Sequence, residues 1–174
     1  MVQGNNICIM SYGQTCTGKT YTIQSEENNK GIASRAAEEL FDIINNLLKR
    51  NNNNNLNKRN IKNINEFDIL NTPYFVKARL TMTIIEIYNE QIFNLLEEST
   101  PNLKLYEDSN GNLIIPDLSP VNINNFEEAN RLFKLAEQFR HISATEFKER
   151  SSRSHCIFSF HLKLTDNENK VIRS

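Results

Sequence analysis

The sequence predicts a layered α/β domain built on a mixed sheet, and three observations predict it. Apolar residues alternate with polar ones from Val76 to Ile84 and again from Phe158 to Leu164, the period of half-buried strands. Apolar residues recur at helical spacing from Ile32 to Leu47 and from Phe126 to Ala136, so strands and helices interleave along the chain. An Asn110-Gly111 dipeptide flanked by apolar residues adds a hairpin, which makes the sheet mixed rather than purely parallel.

In chain order, Ile7 to Met10 is a short apolar run ahead of a glycine-rich turn, and it predicts a buried strand. The first helix is expected to run from Ile32 to about Arg50, with Ile32, Ala36, Leu40, Ile43, Ile44 and Leu47 on its apolar stripe. Asparagine then fills nine of the fifteen positions from Asn51 to Asn65. That composition is too polar to pack, and it predicts a disordered surface insertion over about 51–72. After Pro73 comes the strand of Val76, Ala78, Leu80, Met82 and Ile84, and then a short helix from about Asn89 to Leu96. The hairpin lies within LKLYEDSNGNLIIPDL, where Asn110-Gly111 is expected to supply the positive backbone angles of a tight turn. Phe126, Ala129, Leu132, Phe133 and Ala136 make a second long helix, with Asn124 or Asn125 as its cap, and the chain closes on the Phe158–Leu164 strand.

The 174 residues carry a formal net charge of −1, so there is no basic field to attract nucleic acid and no acidic tail. No apolar run approaches the ~20 residues of a membrane span, and the N-terminus lacks the charged and apolar regions of a secretory signal. A cytosolic protein with no nucleic-acid or membrane partner is expected. Cys8, Cys16 and Cys156 are far apart and have no CxxC or histidine-rich companion, which argues against zinc and against a disulfide framework.

Two motifs carry chemistry. Gly13-Gln14-Thr15-Cys16-Thr17-Gly18-Lys19-Thr20 fits GxxxxGK[ST] after a predicted strand and before a helix, the context of a phosphate-binding loop. Glycines at both ends let the backbone curl so that successive N–H groups point inward, and a following helix adds the positive end of its dipole. Lys19 would reach the β- and γ-phosphates of a nucleotide, and the Thr20 hydroxyl would be a ligand of Mg²⁺. Far downstream, ERSSRSH from Glu149 to His155 sets hydroxyls beside two arginines ahead of the last strand. Such a run is either a sensor of a γ-phosphate and its metal or a solvated polar loop.

Together the two motifs resemble the kinesin motor domain, whose phosphate loop reads close to YGQTCTGKTYT and whose first switch reads close to ERSSRSHCIF. GIASRAAEELF (Gly31 to Phe41), IIEIYNEQIFNLL (Ile84 to Leu96) and RHISATEFKERSSRSH (Arg140 to His155) look like further segments of that family in the expected order. The resemblance covers nearly the whole chain apart from the Asn-rich insertion. It implies a phosphate-loop NTPase fold of α/β/α layers, with residues 1–174 as the central, incomplete part of a motor domain. It also implies ATP or ADP with Mg²⁺ as ligands, microtubules as the partner, and a microtubule-stimulated ATPase on the cytoskeleton in the cytoplasm.

The family's roles carry over residue by residue. Backbone donors from Gln14 to Thr20, across Thr15, Cys16, Thr17 and Gly18, would wrap the β-phosphate, and the ring of Tyr21 would lie against adenine. Ser152 would join Thr20 on Mg²⁺, Ser151 would place the γ-phosphate and the attacking water, and Arg153 would pair with a glutamate of the second switch. No DxxG pattern of a second switch follows Arg153, and the family's N-terminal adenine-clasping segment is not seen either. Expression of this stretch alone is therefore expected to leave strand edges uncovered and to favour association.

Three positions depart from the family pattern. Lys148 stands where the switch usually begins with asparagine, with Glu146 before it, and an ammonium cannot supply an amide's paired donor and acceptor. A nucleotide-binding but non-hydrolysing relative is the alternative this raises. Cys16 replaces a small residue, commonly glycine, which is tolerable where the backbone keeps a negative φ, and it is either a reactive thiol or an inert buried one. A GTPase of another phosphate-loop family would show an NKxD segment, which this sequence lacks.

Overall fold

In the computed structural model, residues 4–24, 29–52, 77–97, 102–146, 153–166 and 168–173 are described. The Asn-rich insertion from residue 53 onward lies outside them. Helix α1 spans Lys19–Ile23, α2 Ile32–Asn52 and α3 Phe126–Glu146. The strands are β1 (Lys77–Tyr88), β2 (Gln91–Asn94), β3 (Tyr106–Glu107), β4 (Leu113–Ile114), β5 (Val121–Ile123), β6 (His155–Thr165) and β7 (Val171–Arg173). The main sheet runs β2-β1-β6-β7, with β5 also paired to β1, while β3 and β4 form a separate two-stranded ribbon. Helices and a central sheet along one chain bear out the layered α/β expectation.

The chain divides into two compact units. The first comprises Met1–Leu80, Asn124–Phe126 and His161–Ser174 and contains α1, α2 and the β6–β7 turn. Its helix α2 buries Ala33, Ala37, Phe41, Ile44 and Leu47, a stripe at three- and four-residue spacing. Ile44 and Leu47 are buried as expected, but nearer the helix start the buried face is turned by one residue, so that Ile32, Ala36, Leu40 and Ile43 are only half-buried. Lys30, just before α2, forms an exposed ion pair with Glu38 at 2.8 Å and lies 4.6 Å from the centre of the Phe126 ring. A reversal at Asp166–Lys170 turns β6 into β7, and Asn169 there accepts a hydrogen bond from Lys77 Nζ at 3.0 Å.

The expected strand at Ile7–Met10 does not form, and Ile7, Ile9 and Met10 are 60% or more exposed. An apolar run becomes a strand only beside a neighbour that accepts its backbone hydrogen bonds, and no described strand pairs with these residues.

The second unit comprises Thr81–Ile123 and Glu127–Phe160. Here β1 is buried without interruption from Met82 to Glu86, as a strand covered on both faces requires. The sequence predicts a short helix from about Asn89 to Leu96, but the segment is a tight turn followed by β2. Asn89 and Glu90 both take positive φ, 49° and 61°, the geometry of a two-residue hairpin, and Ile85 to Tyr88 pair with Asn94 to Gln91. Ile85 and Ile92 share a buried cluster with Leu103 that a helical turn would break, and this tertiary contact overrides the local pattern. On α3, Ala129 and Ala136 are buried, and Phe133 meets Phe158 and Phe160 edge-on at 5.7 and 6.3 Å.

The β3–β4 hairpin is where the sequence put it, with a different turn. Only Gly111 has a positive φ, 81°, and Asp108 N donates to Asn112 O at 2.8 Å across a three-residue loop. The wider loop needs one left-handed residue rather than two.

Candidate phosphate-loop site

The loop from Gly13 to Gly18 is built by its two glycines and by Thr17. A Cβ on Gly13 would come within 2.6 Å of Thr17 Oγ1, and that hydroxyl donates to Gln14 O at 2.8 Å. Gly18, at φ 85° and ψ 14°, is the left-handed residue on which the chain swings into α1. Cys16 is left-handed too, at φ 66°, so the negative φ that would make a side chain tolerable there is not kept, and it is exposed, so it is not an inert buried thiol. The geometry explains why glycine suits this position: a side chain there carries the steric cost of the left-handed region.

Helix α1 begins at Lys19 and is short, only five residues, with no side-chain cap on its first turn. Inside it, Thr22 N and Thr22 Oγ1 both donate to Gly18 O at 2.9 Å. Lys19 Nζ folds over the loop and donates to Gly13 O at 2.8 Å and to Gln14 O at 2.5 Å. The ammonium is thus held at the loop by two carbonyls, with a third N–H among its donors. Gln14, Thr15, Cys16, Thr17, Gly18, Thr20 and Tyr21 are all exposed. Tyr21 is not a core residue: its ring is 51% exposed and its hydroxyl accepts from Asn29 Nδ2 at 3.2 Å. Gly31 closes the far end of the site's support, since a Cβ there would lie 1.7 Å from Gln24 O.

The second motif falls in the other unit and is only partly described. Ser151 and Ser152, with Lys148, lie outside the described residues, and Glu146 ends α3. Arg153 is exposed. Ser154 and its surroundings hold what the sequence reading missed. Glu86, fully buried in the middle of β1, accepts from Arg140 Nε at 3.2 Å and from Ser154 Oγ at 2.7 Å. Arg140 Nη2 also donates to Ser154 Oγ at 3.2 Å, closing a three-residue ring. The signal available in the sequence was a single carboxylate within the apolar run TMTIIEIY, which has no reason to be buried unless a cation meets it. Next to this ring, burial pushes the Cys156 thiol up to about 11, with Arg140 lowering and Glu86 raising it.

The residues of the loop fit a polyphosphate. Gly18 takes the left-handed angle on which the loop turns into α1, the Lys19 ammonium lies at the loop, and the next residue, Thr20, is exposed with a hydroxyl to offer. Comparison with known proteins gives the family. The family model of the kinesin motor domain matches residues 1–173. The kinesin-like protein KIN-14E of Arabidopsis thaliana is 33% identical over 168 residues, covering 95% of this chain and 11% of its own. The kinesin-like protein KIN-14I of Oryza sativa subsp. japonica is 32% identical, covering 95% of this chain and 12% of its own. The chain therefore spans only a small part of the length of these relatives. A solved structure of a fast kinesin superposes with a TM-score of 0.73 at 23% identity, over 98% of this chain and 42% of that one. Fold, loop geometry and sequence match converge, and the chain belongs to the kinesin motor-domain family.

Proposed function

We propose that the chain is the nucleotide-binding part of a microtubule motor, which binds Mg-ATP and couples its hydrolysis to microtubule binding and movement in the cytoplasm. The observation that carries this reading is the loop itself: a left-handed Gly18, a Gly13 set close against the Thr17 hydroxyl, and Lys19 held over the loop by two of its carbonyls. The solved fast kinesin is described through its ATPase mechanism and its interactions with microtubules, and we extend both to this protein.

Backbone N–H groups from Gln14 to Thr20 receive the β-phosphate, and the Lys19 ammonium supplies a point charge to the β- and γ-phosphates. The Thr20 hydroxyl and Ser152 would hold Mg²⁺, which when bound would neutralise charge on the phosphates. Tyr21 offers its exposed ring to adenine. Ser151 orients the γ-phosphate and the attacking water, and Arg153 latches the switch.

Lys148 and Glu146 favour a second reading, in which nucleotide binds and is not hydrolysed. Fluorescent-nucleotide titration and phosphate release, each with and without microtubules, separate the two in the full-length protein. The motor reading expects tight binding and microtubule-accelerated release, with at least ~100-fold weaker binding in Lys19→Ala, the loss of a charged contact to phosphate. Binding without accelerated release selects the second reading. Unaltered affinity in Lys19→Ala would remove the phosphate-loop role altogether.

A further inference from the structure

Arg153 and Ser154 are consecutive residues with opposite fates. Arg153 is exposed, whereas Ser154 turns inward onto a carboxylate that is fully buried. The Ser154 hydroxyl does two things at once. It donates to Glu86 Oε1 at 2.7 Å and accepts from Arg140 Nη2 at 3.2 Å, while Arg140 Nε binds the same Glu86 oxygen at 3.2 Å. A hydroxyl has one proton and two lone pairs, so both of its roles are filled in one orientation. The ring joins three elements of one unit: the centre of β1, the second half of α3, and the residue from which β6 departs. Arg140 is 13% exposed and Glu86 not at all, so the bonds act at low dielectric, where charge-assisted geometry is stiffest.

We propose that Glu86, Arg140 and Ser154 are positioning residues for Arg153, fixing the backbone at 154 so that the arginine one residue earlier is presented outward. The inference rests on the reading above, in which Arg153 serves the nucleotide-sensing switch. Ser154 touches no nucleotide in this scheme; it acts through its neighbour. A hydroxyl is required, and threonine keeps one.

The test is a double-mutant cycle on the full-length protein, with nucleotide affinity and microtubule-stimulated turnover read separately. Ser154→Ala lowers kcat at least about fivefold, the scale of one charge-assisted hydrogen bond. Nucleotide affinity stays within about twofold, and Ser154→Thr restores most of the rate. Arg153→Ala lowers kcat by at least as much, and adding Ser154→Ala to it costs nothing further, because both changes remove the same presented arginine. Multiplying losses in the double variant overturn the inference, as does an unaltered rate in Ser154→Ala beside an impaired Arg153→Ala. If Arg153→Ala is itself silent while the wild-type protein turns over, the switch role of Arg153 fails, and the inference falls with it.

Discussion

From Gln14 to Gly18 every residue of the phosphate loop is exposed, whereas the ring of Glu86, Arg140 and Ser154 is built around a carboxylate with no exposure at all. Both groupings are polar, and both use a cationic side chain to gather oxygens. In the loop, Lys19 gathers neutral carbonyls of its own backbone, which leaves its full charge to act on something outside the protein. In the ring, Arg140 gathers a buried anion, so charge is met within the fold. The loop cation is therefore felt in nucleotide binding, whereas the buried ion pair of the ring is felt first in folding stability and, through the residue it positions, in turnover. A buried ion pair adds little over a well-packed apolar pair, yet removing one partner strands the other.

The sharpest separation comes from truncating each cation. Arg140→Ala leaves Glu86 buried without its guanidinium and is expected to cost about 3–5 kcal/mol of unfolding free energy. Lys19→Ala is expected to cost less than about 0.5 kcal/mol, as for surface substitutions, while nucleotide binding collapses. Denaturant titration of the two variants decides it, and equal losses of stability would break the comparison.

Next in size is the effect of alkaline pH on the buried side. Burial raises Cys156 from its ordinary 9.0 to about 11. Its contribution to stability is full below pH 9, where folded and unfolded chains both hold the proton, and it is lost as pH rises from there towards 11. Melting temperature should fall over that window, and Cys156→Ala should remove part of the fall. An identical decline in Cys156→Ala would show that other groups cause it.

How far each region could be read in the sequence follows from the same contrast. The phosphate loop was legible because its chemistry is local: eight consecutive residues supply the glycines, the lysine and the hydroxyl. The ring was not, because Glu86, Arg140 and Ser154 are brought together from positions as much as 68 apart. The long helices, β6 and the first half of β1 were legible from periodicity, whereas from Met82 to Glu86 the alternation gives way to burial of every residue, Thr83 included. The run from Asn89 was misread because Asn89 and Glu90 turn the chain at a place where Ile92 and Phe93 also fit helical spacing, and the contact of Ile92 with Leu103 decides the matter. Ile7–Met10 was misread because apolar content says nothing of whether a partner strand stands beside it.

The smallest effect concerns two turns of the same design, one read from the sequence and one missed. Asp108 Oδ1 accepts from the backbone N–H of Asn110 and Asn112, both at 2.8 Å, with Gly111 left-handed. Asp166 Oδ1 accepts from Glu168 and Lys170 at 2.9 Å, with Asn169 left-handed at φ 60°. Asn-Gly advertised the first turn; in the second, asparagine takes the left-handed position at some cost and without the glycine signature. At Asp108 the Asn112 amide, at 3.0 Å from Oδ2, together with the backbone N–H of Asn112 and Asn110, holds the carboxyl below its ordinary 3.8. The turn's hydrogen bonds are therefore intact above pH 3.8 and are lost only as pH falls through the lower folded value. The amide resonances of Asn110 and Asn112 should titrate with a midpoint below 3.8 and should not titrate there in Asp108→Asn. A midpoint at or above 3.8 would mean that these donors do not grip the carboxylate in solution.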